Sequence, residues 1–112
     1  MSDWRTFPAT ITRVIDGDTV VARVESSLPG LTITAQVHVR LHGINAPETH
    51  GLSRLAGLES SAWLRDRLQD KRVTLHVHHE ADKYGRWLGR IECGGTFVND
   101  EMVKLGLAEV MA

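Results

Sequence analysis

The sequence holds one cysteine, Cys93, so no disulfide can form within the chain and cysteine usage carries no sign of an oxidising compartment. Strand packing is the role expected of that thiol, ahead of reactivity. Long apolar runs are missing too: no stretch approaches the roughly 20 apolar residues that a membrane helix needs. Residues 1–12 lack the basic segment and apolar run of a secretory signal, and the expected location is cytoplasmic. A surplus of positive charge is also absent. With 13 Lys and Arg against 14 Asp and Glu, the formal net charge is −1. Tight, non-specific nucleic-acid binders usually present a basic surface, because counterion release from phosphates drives their affinity. A near-neutral chain that handles phosphates must gather its cations locally or recruit a metal ion.

What is present fits one soluble domain spanning 1–112, with 42% apolar and 24% charged residues. A domain of this size buries roughly two-thirds of its unfolded surface, enough for one compact core. Residues 31–42 show the clearest pattern. Leu31, Ile33, Ala35, Val37, Val39 and Leu41 alternate with polar residues, the period of a half-buried strand, and Arg40 falls on the polar face. Val73, Leu75 and Val77 alternate similarly. Further strands are expected at 9–15 and 19–25, joined at Asp16-Gly17-Asp18, and in a hairpin of 87–93 and 96–98 around Gly94-Gly95. A helix is expected over 57–69 with Leu58, Ala62 and Leu68 on one face. A second is expected to start at Asn99 as N-cap, with Asp100 and Glu101 in its first turn and Gly106 at its stop. Five short strands with helices late in the order predict a mainly β, α+β fold: a five-stranded Greek-key barrel of the OB type with two flanking helices.

Charge gathers beside turn residues in three segments, at 15–19, 40–49 and 82–86. Each alone is ordinary turn chemistry. Together they supply what phosphodiester hydrolysis requires: oxygen ligands for a hard cation, a base for water, and fixed positive charge for the phosphorane. Asp18 and Asn45 offer oxygens, Glu48 is the candidate base, and Arg40 and Arg86 can clamp phosphate with planar, permanently charged forks.

These segments resemble the staphylococcal nuclease (thermonuclease-like) family. The matching runs are VIDGDTV at 14–20, VRLHGINAPET at 39–49, DKYGR at 82–86 and VNDEMVKLGLAEV at 98–110, in the family's order and with the expected elements between them. The resemblance implies an OB-type barrel and Ca²⁺-dependent cleavage of DNA and RNA that leaves 3′-phosphates. It implies that Asp18 and the backbone carbonyl of Ala46 bind the metal, that Asp16 shapes the site indirectly, and that Glu48, Arg40 and Arg86 are catalytic. Lys83 and Tyr84 correspond to residues that touch a nucleotide phosphate. Asn45 departs from the pattern, standing where the family usually has a second metal-binding aspartate. The segment between Asp18 and Arg40 is longer than usual and reads as an extended hairpin. The chain ends at Ala112, where larger members add a third helix, so uncovered apolar surface and a homodimer or a marginally stable monomer are expected.

Two rival readings stand beside this one. A catalytically silent OB barrel that binds nucleic acid or protein has no need to keep Arg40, Glu48 and Arg86 together. A zinc site could draw on His76, His78 and His79 or on His38 and His42, but no accompanying Cys or helical Glu-His motif supports it, and strand histidines are the plainer reading. Trp4, Trp63 and Trp87 are expected in the core or at an interface rather than as a base-stacking platform.

Overall fold

The computed structural model describes residues 4–79 and 81–111. In chain order the elements are β1 (Trp4–Asp16), β2 (Thr19–Leu28), β3 (Leu31–Leu41), the short β4 (Ile44–Asn45), α1 (Arg54–Leu68) after a 3-10 turn (Gly51–Ser53), β5 (Arg72–His78), β6 (Trp87–Cys93), β7 (Thr96–Phe97), α2 (Val98–Lys104) and β8 (Glu109–Val110). The sheet runs β3-β2-β1-β5-β6-β7, antiparallel throughout except for a parallel contact of β3 with β6 that closes the five long strands into a ring. That ring is the expected barrel. β1 is the longest strand and pairs with both β2 and β5, with register shifts after Ile11 and Val14. Such bulges bend a strand, and a bent strand is what a small barrel needs at its corners.

Alternation puts Ile11, Val20, Val39, Leu41, Leu75 and Ile91 inside, all fully buried, with Leu64, Leu68 and Met102 of the helices packed against them. Each such side chain contributes roughly 1.5–3 kcal/mol relative to exposure. Cys93 is buried at the end of β6, as expected of a packing thiol. Trp63 and Trp87 lie partly buried against the core.

Three expectations need correction. β3 is half-buried only at its inner end. Val39 and Leu41 face the core, whereas Leu28, Leu31 and Ile33 stand about half exposed because the outer part of the β2–β3 ribbon has no layer over it. Helix α1 buries Gly57, Ser60, Ser61, Leu64 and Leu68, and turns Leu58 and Ala62 outward. Its contact face joins two core leucines at the C-terminal end to small residues at the N-terminal end, where close approach to the neighbouring loop decides what is buried. Finally, Asn99 is not the N-cap of α2: Phe97 holds that position and Asn99 lies inside the helix. Gly106 does end it, at φ +76°, with Gly106 N–H donating to Val103 and Leu107 N–H to Met102, the paired bonds of a Schellman stop.

The role Asn99 takes instead is central. β3 and β6 separate after Leu41 pairs with Gly89, leaving strand peptide groups without a partner strand. The buried Asn99 amide supplies what is missing. Its Oδ1 accepts from Ile91 N–H at 3.0 Å, and its Nδ2 donates to the carbonyls of His42 at 2.9 Å and Gly89 at 3.2 Å. A side-chain amide has the same donor and acceptor chemistry as a peptide, so it continues the ladder where backbone cannot. Asn99→Ala should therefore lose about 2 kcal/mol or more of stability through unsatisfied buried groups, seen as a lower urea midpoint with an unchanged slope. An unchanged midpoint would mean the amide is not what closes the ladder.

Candidate active site

The β1–β2 turn, the end of β3 and the segment after β4 meet at one end of the barrel. Thr19 pairs with Arg40 across β2 and β3, and Asp18 C=O accepts from Leu41 N–H at 2.8 Å, so strand register fixes the Asp18 and Arg40 backbones side by side. The Asp18 carboxylate is then tied down. Its Oδ2 accepts from Ala46 N–H at 3.0 Å, its Oδ1 accepts from the Thr19 hydroxyl at 3.3 Å, and Arg40 Nη2 lies 3.5 Å from Oδ2. Arg40 also donates from Nη1 to its neighbour's carbonyl at Leu41 (2.8 Å) and from Nη2 to Asn45 Oδ1 (3.1 Å). Asp16 Oδ1 accepts from Asp18 N–H at 3.1 Å, which holds the turn.

The second arginine arrives from the turn before β6. Asp82 organises that turn by accepting at Oδ1 from the N–H groups of Tyr84 (2.9 Å) and Arg86 (2.8 Å) and at Oδ2 from Arg86 Nε (2.5 Å). Gly85, at φ +80°, supplies the left-handed step. The Asp82 carboxyl is raised by desolvation, but the N–H donors and the Arg86 guanidinium outweigh that and hold it below its ordinary value. Arg86 Nη1 reaches the Thr19 hydroxyl at 3.4 Å. A chain of contacts thus runs Arg86–Thr19–Asp18–Arg40–Asn45. Sequence reasoning assigned no role to Thr19 or Asp82. For Asp82 the signal was available, since an aspartate two residues before an N–H and four before an arginine suits a side-chain-closed turn.

Lys83 and Tyr84 lie exposed on the outer side of this turn, with Lys83 Nζ and Arg86 Cζ 5.2 and 5.4 Å from the Tyr84 ring centroid. Glu48 is also exposed, two residues beyond Ala46, and its backbone carbonyl accepts from Ser53 Oγ at 3.3 Å. Its place is set by what is absent beneath it. A Cβ at Gly57 would fall 2.1 Å from the Glu48 carbonyl oxygen, so only glycine lets α1 approach this loop. A Cβ at Gly17 would meet Ala46 Cβ at 2.7 Å and Ser60 Cβ at 3.0 Å. The turn, the loop and the helix are therefore clamped along a seam of small residues, and Ser60 Oγ ties the helix to the Leu107 carbonyl at 2.6 Å.

The acidic groups are crowded. Burial, then the hydrogen bonding and charge of the neighbouring Asp18, push the Asp16 carboxyl above its ordinary value. The side-chain acceptors here, two carboxylates and the Asn45 amide oxygen, are all hard oxygens, a type suited to Ca²⁺ rather than to zinc. Asn45 Oδ1 already accepts one bond from Arg40. His42, His76 and His78 are engaged in contacts of their own. His76 contacts Glu92 Oε1 at 2.9 Å, and His42 stacks on His78 at 5.6 Å with Trp4 edge-on to both. Burial, then the charges of His78, Arg90 and Arg40, lower the His42 pKa. Among the described residues no three His, Cys, Asp or Glu side chains converge as a metal cage, so a cation here would depend on amide, backbone, water and phosphate oxygens as well.

The family model for staphylococcal nuclease homologues matches residues 38–112. The chain belongs to that family. It is similar to a probable staphylococcal-like nuclease of Oryza sativa subsp. japonica, 37% identical over 76 residues, which cover 68% of this chain and 22% of that protein. An uncharacterised 38.1 kDa protein of Capnoides sempervirens is also 37% identical, over 68% of this chain and 21% of its own length. The thermonuclease of Staphylococcus hyicus is 30% identical over 102 residues, 88% of this chain and 56% of that enzyme. The chain thus spans about a fifth of the plant relatives and little more than half of the bacterial one.

In an ordinary helix, replacing glycine by alanine stabilises by about 0.5–1 kcal/mol. At Gly57 the sign should reverse. The added methyl has to displace the Glu48 backbone, and overpacking of this kind costs about 1–3 kcal/mol. Thermal or urea unfolding of Gly57→Ala checks this, and a stabilised variant would show that the loop moves aside freely.

Proposed function

We propose that this chain hydrolyses phosphodiester bonds in DNA or RNA with the help of Ca²⁺. The observation that carries the reading is the joining of Arg40 and Arg86, from separate segments, through Thr19 and the Asp18 carboxylate at one end of the barrel. Membership of a family whose relatives bear nuclease names supports it. The two guanidinium groups receive the substrate phosphate and offset the charge that builds on its oxygens. Both are oriented before substrate arrives, Arg40 by the Leu41 carbonyl and Asn45, and Arg86 by Asp82, so little reorganisation is needed at the moment of reaction. Glu48, exposed and anchored through its backbone, takes a proton from the attacking water. Asp18, the Asn45 amide oxygen and the Ala46 carbonyl would hold Ca²⁺ with Asp16 close by, and the bound cation would add positive charge against the phosphate. Local placement of Arg40, Arg86 and Lys83 answers the problem set by a net charge of −1.

Incubation with single-stranded DNA and RNA at millimolar Ca²⁺, with and without EDTA, tests the reading. Cleavage is expected only with the metal, and Arg40→Ala and Arg86→Ala should each lose about a hundredfold or more in rate with the fold retained. Intact nucleic acid across neutral to alkaline pH would leave a binding barrel instead.

Asn45 sets the metal's share. Asparagine keeps a ligating oxygen but lacks the negative charge of aspartate, and ligand charge is a main control on Ca²⁺ affinity. Weak Ca²⁺ binding is therefore expected in the free protein, strengthening when phosphate oxygens arrive. Asn45→Asp should tighten Ca²⁺ binding in calorimetric titration and raise activity more at limiting than at saturating Ca²⁺. Equal affinity in the two proteins, or binding in neither, would remove Asn45 from the metal site.

A further inference from the structure

We infer that the outer face of β3 and the 81–86 turn form a groove for an unpaired nucleic-acid strand, in which Gln36 and His38 contact the nucleotides flanking the cleaved phosphate. The inference deepens the nuclease reading and rests on it for the position of that phosphate. It begins from strand geometry. Gln36, His38 and Arg40 point to one face of β3 at a repeat of about 6.6–6.8 Å, twice the rise per residue. That spacing is comparable to the step between phosphates of an extended single strand. With a phosphate at Arg40 and Arg86, successive nucleotides fall beside His38 and then Gln36.

The edge of β3 opens where this path leads. Leu41 N–H bonds to Asp18 on the β2 side and His42 N–H to Gly89 on the β6 side, so odd residues direct their peptide groups inward to β2 and even residues outward. Pairing with β6 covers only Val39–Leu41. Among the described residues, no strand therefore covers the outward peptide groups of Gln36 and Thr34. A cleft of about 350 Å³ lies against this edge, with Gln36 and His38 on one wall and Tyr84, Arg86 and Trp87 on the other. Its volume is within the range of small-ligand sites, and Arg86 makes it continuous with the candidate active site.

The two walls differ in chemistry. The turn side carries Arg86 and Lys83 with the exposed Tyr84 between them. The β3 side away from Arg40 is free of charge: residues 26–37 form a twelve-residue stretch without one charged side chain. A strand in the groove would set phosphates against the cations and turn base edges toward β3. The Gln36 amide offers a donor and an acceptor, the pairing chemistry of a base edge, and the His38 ring offers a face or a nitrogen. With one backbone against the turn and Watson–Crick edges against β3, no place is left for a complementary strand, so the occupant is single-stranded.

The test uses end-labelled oligothymidylates of increasing length with the whole chain. Binding is read by fluorescence anisotropy in EDTA, and cleavage is read in Ca²⁺. Gln36 and His38 are both exposed, so the double variant Gln36→Ala/His38→Ala should fold, with an unfolding midpoint equal to that of the unaltered chain. Its Kd and KM should rise roughly tenfold or more while kcat at saturation holds, and the gain from lengthening the oligonucleotide should disappear. Gln36→Glu, which keeps the shape but adds negative charge beside the phosphates, should weaken binding as well. Equal Kd and KM for the altered and unaltered chains at every length would overturn the groove and leave the nuclease reading standing. Binding that depends on Gln36 and His38 without any cleavage would support the groove and end the nuclease reading.

Discussion

The Asn99 amide holds together the two strands on which everything else in this molecule is hung. β3 ends by delivering Arg40, and β6 begins directly after Arg86, yet the strands share only three register pairs before they diverge. Three pairs do not secure a barrel seam. A buried amide that bonds to Ile91, His42 and Gly89 spans the gap from α2, and the apolar cluster around Met102 and Val98 keeps water from competing for those bonds. The seam between the two arginine-bearing segments is thus completed by a side chain from α2.

From that seam the site is assembled largely by carboxylates acting as fasteners. Asp82 spends both oxygens closing a turn and aligning Arg86, and Asp18 accepts from a backbone N–H, a hydroxyl and an arginine at once. Both belong to the class of charge-assisted bonds, about twice as strong as neutral ones. Asp16, beside Asp18, is partly buried, and that burial with its neighbour's charge raises its carboxyl above the ordinary value. The result is a pair of cationic arms, Arg40 and Arg86, linked through Thr19 to one acidic centre at Asp18.

Much of this was legible in the sequence, and the failures share a cause. The five strands and the Gly106 stop follow from local pattern, and the barrel follows from that pattern together with the family's motif runs. Asn99 was misread because Asn followed by Asp100 and Glu101 is an equally good helix start, and only the tertiary gap between β3 and β6 distinguishes a cap from a buried bridge. The face of α1 was misread because Leu58 and Ala62 outweigh Ser60 and Ser61 on any hydrophobic scale, while the barrel selects for closeness. The alternation at 31–35 announced a buried face correctly in pattern and wrongly in place, since no periodicity reveals where a neighbouring layer stops. Among the site residues, Asp18, Ala46, Arg40, Asn45 and Arg86 are brought into one chain of contacts. Glu48, Lys83 and Tyr84 lie on adjoining exposed loops.

The seam of Gly17, Ala46, Gly57 and Ser60 makes the geometry of the site a matter of subtraction. Its distances are held by atoms that are not there. Truncating side chains one at a time, the usual way of finding what matters, passes over such a region: one of its members is already alanine, and two are smaller than alanine. Its sensitivity runs in the other direction, toward added volume. A survey that enlarged residues rather than trimming them would trace the outline of the candidate site through the helix behind it.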